Sequence, residues 1–569
     1  MLGATHLRSW LWIGLDFMFL LLAATAYAGA VSSNTVPPTN DILVDAQLDY
    51  GTFRGAYSSE YNITYWKTVP FAAPPVGVNR FRGPQPLVVN STRSTTVVNA
   101  SRPFPMCPQR EASGDEDCLY LGLYGRPWTM GHRLRPVVVV FYGGGFIRGS
   151  AELSMPPSAY PVLNVTSVDN DLLFVYPNYR TNVFGFLAGR EVGEDPHSDT
   201  NAGLLDQKAA LKWVQRYIHR FGGDTDDVTI WGQSAGGGSV VAQVASMLGA
   251  NNNTFEKPLF HRAMASSPYW PKTYRYDAPE SRKIYDDLVK RVGCQNSSDS
   301  LACLKEVDVQ TLRDASSAMT VDRDATATSS YVWAPVLDDS FLRKPLSSLK
   351  RDGRLMATFA TYNTHEGENF VPTWLFPKRA KNATTDDDKK QFHTWLVRYL
   401  PDLTMDDVAE VDRLYPETGD VDGGDEKAYQ AYTSGNPFGR AGLVYRDVTL
   451  ACPAYWMTGL SSNDSVGWLA EYSISPAKHA SDTYWWNTVN KAQTTDPIHY
   501  KGYAGALASF FATGDPNQHK LTSPTIPELP DRTSGREWTI TAGGFSTRSL
   551  AQLQKRCDSW KSIAPRISV

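Results

Sequence analysis

Ser234 lies in Gly232-Gln233-Ser234-Ala235-Gly236, a Gly-x-Ser-x-Gly pentapeptide. A serine hydroxyl is a weak nucleophile at neutral pH. It needs a base, an acid to orient that base, and N–H donors for the oxyanion formed when it attacks a carbonyl. The apolar run Val228–Trp231 before the pentapeptide reads as a strand, and Ser239–Ala245 after it has helix-compatible spacing. Strand, tight turn and helix together predict a nucleophile elbow, in which flanking glycines remove the Cβ atoms that would crowd a strained serine. The alternative is a Gly/Ser-rich structural loop. A second glycine run, Gly143-Gly144-Gly145, follows the β-branched stretch Arg135–Tyr142. At the carboxyl end of a buried strand, the N–H groups of Gly144 and Gly145, with that of Ala235, are candidate oxyanion donors.

The elements that must position these residues can be read from periodicity. Arg135–Tyr142 and Leu172–Tyr176 are continuous apolar runs, as expected of strands covered on both faces. Leu204–Phe221 places Leu204, Leu205, Leu211, Val214 and Ile218 at near-helical intervals, and Gly222-Gly223-Asp224 ends it before the elbow strand. Strand, helix, strand, elbow, helix is the rhythm of an α/β protein with a doubly wound sheet. Asp277–Val292 and Lys389–Tyr399 also read as helices, and Ala380–Asp388 as a polar surface loop. There are no internal repeats. One domain is expected over 44–569, preceded by a flexible leader over 29–43.

The 569 residues carry a formal net charge of −4 and no long basic run, which argues against nucleic-acid binding. His6 and Arg8 precede an apolar run from Leu11 to Ala26, and Ala26-Tyr27-Ala28 offers a cleavage site. Residues 1–28 therefore read as a secretory signal peptide, with an uncleaved anchor as the rival disfavoured by Asp16. The six cysteines, Cys107, Cys118, Cys294, Cys303, Cys452 and Cys557, allow fifteen pairings and have no zinc-site spacing. No metal and no cofactor is expected. Eight sequons, at Asn62, Asn90, Asn99, Asn164, Asn252, Asn296, Asn382 and Asn463, fit a secreted glycoprotein with no stable membrane anchor.

Beyond single motifs, the chain resembles the type-B carboxylesterase/lipase family, the cholinesterase-like α/β-hydrolases, and especially its secreted fungal esterases. The resemblance runs from about Gly51 to Trp560. It rests on Pro74-Pro75-Val76-Gly77 with Arg80-Phe81, Glu116-Asp117-Cys118-Leu119, Tyr142–Phe146, Asn178-Tyr179-Arg180, Asn201–Gln207, Phe221–Asp224 and the elbow, in that order. It implies an α/β-hydrolase fold, with a large, mostly parallel central sheet and helices on both faces. It also implies carboxylic-ester hydrolysis through a Ser-His-Glu triad and an acyl-enzyme, acting on a small-molecule ester.

The family's acid, a Glu before Gly after a strand, corresponds to Glu366 in Asn363-Thr364-His365-Glu366-Gly367. Glu368 is then a surface residue and Asp338 a structural one. The family's histidine corresponds to His479, three residues before Asp482; His499 is the alternative and His365 a weaker third. Ser267 and Asp482 match supporting positions, although Pro268 follows Ser267 where the family usually has Gly. The family's disulfides imply Cys107–Cys118, Cys294–Cys303 and Cys452–Cys557. Only ten residues separate Cys107 from Cys118, too few for a large lid, which favours an esterase over an interfacially activated lipase. Gln233 replaces the Glu found before the serine of cholinesterases, weakening the case for a cationic choline ester. Trp270, Trp374, Trp485 and Trp486 are candidates for a pocket wall, with core burial as the preferred alternative. A triacylglycerol lipase or an acyltransferase shares this chemistry. A catalytically silent binding or adhesion protein shares the fold and is expected to lack a triad member.

Overall fold

The computed structural model describes residues 44–88, 97–152, 154–167, 171–249, 257–320, 331–351, 353–376, 385–418, 436–461, 467–520 and 525–569. The expected signal peptide over 1–28, the leader over 29–43 and the sequons Asn90, Asn252, Asn382 and Asn463 lie outside the described residues. The strands among the described residues are β1 (Asp45–Leu48), β2 (Gly51–Arg54), β3 (Ala56–Ser58), β4 (Ile63–Pro70), β5 (Val97–Asn99), β6 (Tyr120–Gly125), β7 (Arg135–Phe141), β8 (Leu173–Pro177), β9 (Gly223–Gln233), β10 (Arg262–Ser266), β11 (Ala357–Asn363), β12 (Gly467–Tyr472), β13 (Arg536–Thr541) and β14 (Gly544–Ser549). Strands β1, β2 and β5 form a small separate sheet.

The remaining strands form one eleven-stranded sheet in the order β14-β13-β12-β11-β10-β9-β7-β8-β6-β4-β3. From β8 to β13 every neighbouring pair is parallel, and antiparallel strands are added at both margins. Apolar residues line both faces because successive side chains on a strand point to opposite sides. Val137, Val139 and Phe141 enter one core cluster with Val240, Val241 and Val244 of helix Ala235–Gly249 and Leu211 of helix Ala202–Tyr217. Val138 and Val140 enter the other with Leu507, Phe510 and Phe511 of helix Pro497–Thr513. The unbroken β-branched run of β7 is thus explained by helices packed on both sides.

Parallel pairing sets the carboxyl ends of the central strands side by side. Phe141 lies opposite Gly232, Gln233 opposite Ser266, and Ser266 opposite Thr361. The loops after β7, β9, β10, β11 and β12 therefore emerge along one edge, where open α/β sheets place their ligands. Two local readings differ from expectation. The elbow strand begins at Gly223 rather than Val228, because backbone pairing with β7 extends it through a polar stretch. Of the expected loop Ala380–Asp388, residues 385–388 open a helix, with Asp386, Asp387 and Asp388 in its first turn. Negative charge there is favoured by the helix dipole, so a polar run marks a helix start.

Candidate active site

Ser234 is the single residue between β9 and helix Ala235–Gly249, and its backbone sits at φ +60°. A non-glycine residue in that region costs about 1–3 kcal/mol unless its surroundings hold it there. Three backbone hydrogen bonds do so: Ser234 N–H donates to Ser266 O at 2.9 Å, and Ser234 O accepts from Gly238 at 2.8 Å and Tyr269 at 2.9 Å. The flanking glycines are needed for space. A Cβ on Gly232 would come 2.3 Å from the Gly236 carbonyl, and one on Gly236 would come 2.0 Å from Phe141 O.

The hydroxyl meets an imidazole from the loop after β12. His479 Nε2 lies 2.7 Å from Ser234 Oγ, and His479 Nδ1 lies 3.0 Å from Glu366 Oε2. Glu366 is completely buried, whereas Ser234 keeps 8% of its surface exposed. The histidine is fixed in two further ways. Its backbone N–H donates to Asn369 Oδ1 at 3.0 Å, and its ring stands edge-on to Phe370 at 5.1 Å.

Behind this row lies a polar cluster centred on Asn363, the last residue of β11. Its Nδ2 is 2.9 Å from Ser267 Oγ, 3.2 Å from Asp482 Oδ1 and 3.4 Å from Glu366 Oε2. One neutral amide thus stands as donor between two buried carboxylates. The other oxygen of Asp482 accepts from Trp486 Nε1 and Tyr503 Oη, both at 3.1 Å. Burial pushes the Asp482 carboxyl up from its ordinary range, and the nearby Glu366 charge adds to this, while the Trp486, Asn363 and Tyr503 donors oppose it. Ser267, at φ +46°, is held by donating its N–H to Thr361 O at 2.7 Å, and Pro268 does not prevent that. Asn363 is the residue that sequence reasoning passed over. Its position as a strand-final polar side chain three residues before Glu366 was the available signal.

The glycine loop after β7 lies against the elbow. A Cβ on Gly143 would come 2.7 Å from Gln233 O and 3.1 Å from Ser234 Cβ. Gly144 and Gly145 have φ +112° and +66°, and the turn closes through Ile147 and Arg148 N–H groups donating to Gly144 O. Positive φ at consecutive residues favours glycine and lets the backbone approach a ligand closely. Tyr142 stacks on Tyr179 at 4.1 Å, and Tyr179 Oη donates to Tyr142 O at 2.7 Å, anchoring the loop's base. Its far end is tied to the Cys107–Cys118 loop: Gly149 N–H donates to Gln109 Oε1 at 2.8 Å, and Gln109 Nε2 donates to Gly149 O at 2.9 Å.

The structure contains disulfides Cys107–Cys118, Cys294–Cys303 and Cys452–Cys557. His499 lies away from this row, with Nδ1 2.8 Å from Asp496 Oδ2 and Nε2 2.8 Å from Thr541 O. His365 faces Glu368 at 3.3 Å, and Asp338 accepts from Asn201 Nδ2 at 2.7 Å and from backbone N–H groups of its own turn. Trp270, Trp485 and Trp486 are core residues and Trp374 is half-buried. Among the described residues, no cluster of His, Cys, Asp or Glu could hold a metal ion, and no helix is long and apolar enough to cross a membrane.

A serine elbow at the carboxyl edge of a mostly parallel sheet, with helices on both faces, defines the α/β-hydrolase class. Residues 42–541 match the carboxylesterase family, and the chain belongs to that family, whose reaction class is carboxylic-ester hydrolysis. A protein named secreted lipase 1 from Botryotinia fuckeliana is 33% identical over 277 residues, spanning 44% of this chain and 47% of that protein, under half its length. One named secreted lipase 4 from Gibberella zeae is 27% identical over 532 residues, 88% of this chain and 89% of that protein. The crystal structure of Aspergillus niger EstA superposes with a TM-score of 0.75 at 24% identity, covering 94% of this chain and all of that one, a likeness of fold.

Proposed function

We propose that this chain is a secreted serine carboxylesterase acting through Ser234, His479 and Glu366. The observation that carries the proposal is the unbroken contact row from Ser234 Oγ through His479 to Glu366, at 2.7 and 3.0 Å, beside the glycine loop. His479 Nε2 takes the hydroxyl proton as Oγ bonds to the ester carbonyl carbon. Glu366 holds the imidazole with Nδ1 protonated and stabilises the imidazolium. The N–H groups of Gly144, Gly145 and Ala235 receive the oxyanion; losing one such donor costs roughly 10²–10³ in turnover. Collapse of the tetrahedral intermediate breaks the bond to the alcohol, which leaves with the proton from His479. Water, deprotonated by the same histidine, then releases the acid and restores Ser234. Asn363, Ser267 and Asp482 act by positioning Glu366.

Secretion is supported by the apolar N-terminal segment, the disulfides, and relatives whose names include the word secreted. Exposed Asn99, Asn164 and Asn296, and half-buried Asn62, are the described candidates for glycosylation. The names of the relatives favour a lipase as second reading; the short Cys107–Cys118 loop favours an esterase. Hydrolysis of nitrophenyl esters from acetate to palmitate, with Ser234→Ala as control, separates the two. Activity on dissolved short esters, lost in Ser234→Ala, is the expected result. Long-chain preference only at an oil interface selects the lipase, and no activity with no organophosphate labelling of Ser234 rejects both.

A further inference from the structure

At the opposite end of the sheet, where β11 and β12 begin, four separate segments converge. Thr358 Oγ1 at the start of β11 donates to Thr458 O, and Trp468 of β12 bridges to Asp531, so Gly459 and Arg532 are brought to this edge. Together with the loop ending at Arg351 and the last helix, Ala551–Ile563, they enclose a cleft of about 330 Å³. Strands of six or seven residues place it about 20 Å from the catalytic edge.

Its charges are one-sided. Lys350, Arg351, Arg532 and Lys561 line it, and Asp558 is the only carboxylate among the lining residues. The two arginines are held in place. Arg351 Nε donates to Gly459 O at 2.8 Å. The Arg532 guanidinium lies 4.1 Å over the Tyr455 ring, so near Gly459 that a Cβ there would come 2.5 Å from Nη1. Arg532 Nε and the indole N–H of Trp456, a residue only 4% exposed, have no hydrogen-bond partner among the described residues. Two guanidinium groups held beside one glycine repel each other; Arg532 is half-buried and Arg351 exposed, so solvent screens that repulsion only in part. A multiply charged oxyanion between them relieves that repulsion and accepts from planar forks that match its geometry.

We propose that this cleft is a binding site for a tetrahedral oxyanion, phosphate or sulfate, free or carried as a monoester. Bound there, the anion links segments spaced along more than two hundred residues and stabilises the folded state by mass action. The test is calorimetric titration of the full chain with sodium phosphate, and separately with glycerol phosphate, at ionic strength held constant with sodium chloride. One saturable site is expected, with a thermal midpoint that rises with phosphate and not with chloride; tighter binding of the monoester assigns the larger ligand. Arg532→Gln should weaken binding about tenfold or more. The exposed pair Lys350→Gln/Lys561→Gln, which carries little folding risk, should weaken it several-fold while nitrophenyl acetate hydrolysis is unchanged. No saturable binding by the parent, or equal binding by the parent and the lysine pair variant, overturns the proposal.

Discussion

Glu366 and Asp482 are two buried carboxylates that share one amide donor, Asn363 Nδ2. Replacing that donor by a methyl group removes the link between the two buried carboxyl groups and frees Glu366 from its lateral hold. Asn363→Ala is therefore expected to lower kcat by up to roughly 100-fold through misorientation of the imidazole, with little change in KM. A parallel slowing of Ser234 labelling by an organophosphate checks this; unaltered labelling with a lower melting temperature would mean a purely structural role. The two histidines make a second comparison. His479→Ala is expected to abolish turnover. His499→Ala removes contacts to Asp496 and Thr541 O and is expected to cost about 1–3 kcal/mol of stability while most activity remains. Steady-state rates and denaturant midpoints on both variants separate the roles.

At the scale of the element, the elbow works because strand and helix approach too closely for side chains. Gly236→Ala places a methyl group 2.0 Å from the Phe141 carbonyl, in a backbone with no room to shift. A loss of at least about 3 kcal/mol is expected, read as loss of soluble protein or a fall in the unfolding midpoint. The strands beyond the site carry charge inside the core. Glu471 of β12 and Glu537 of β13 are fully buried and both pair with Arg548 of β14, whose Nε is 2.7 Å from Glu537. Burial pushes the Glu537 carboxyl up, opposed by Arg548 and reinforced by Glu471. Arg548→Met takes the cation from buried Glu537 and leaves Glu471 only Arg446, at 3.6 Å; it is expected to destabilise the fold by about 3–5 kcal/mol, measurable by denaturant titration.

At the scale of the whole molecule, the parallel sheet gathers the loops that carry Ser234, Glu366 and His479 along one edge and the basic cleft at the other. The Cys452–Cys557 bridge spans 105 positions and joins helix Cys452–Thr458 to helix Ala551–Ile563. Closing so long a loop removes much of the freedom of the unfolded chain. Replacing both cysteines with serine is expected to lower stability by about 2–5 kcal/mol, seen as an earlier unfolding midpoint. Replacing Cys294 and Cys303, only 9 positions apart, should cost less on the same measurement.

What the sequence determined by itself is local. The strand before Ser234, the glycines around it and the glycine run after β7 are legible because periodicity and steric demand act between neighbours in the chain. The doubly wound order follows from the same rhythm. Contacts between distant residues are a different matter. The sequence offered His479 and His499 as alternatives, and only the fold puts an imidazole nitrogen of His479 against a hydroxyl 245 positions away. Asn363 looked like one more polar residue in a motif until β11 ended beside Asp482, 119 positions on. The buried Glu471–Arg548–Glu537 group and the four cations around Gly459 were equally unreadable, since charge in a linear chain carries no mark of whether it will be solvated. Tertiary structure decided them because it alone sets which groups share a site, how far apart they lie and how much water remains between them.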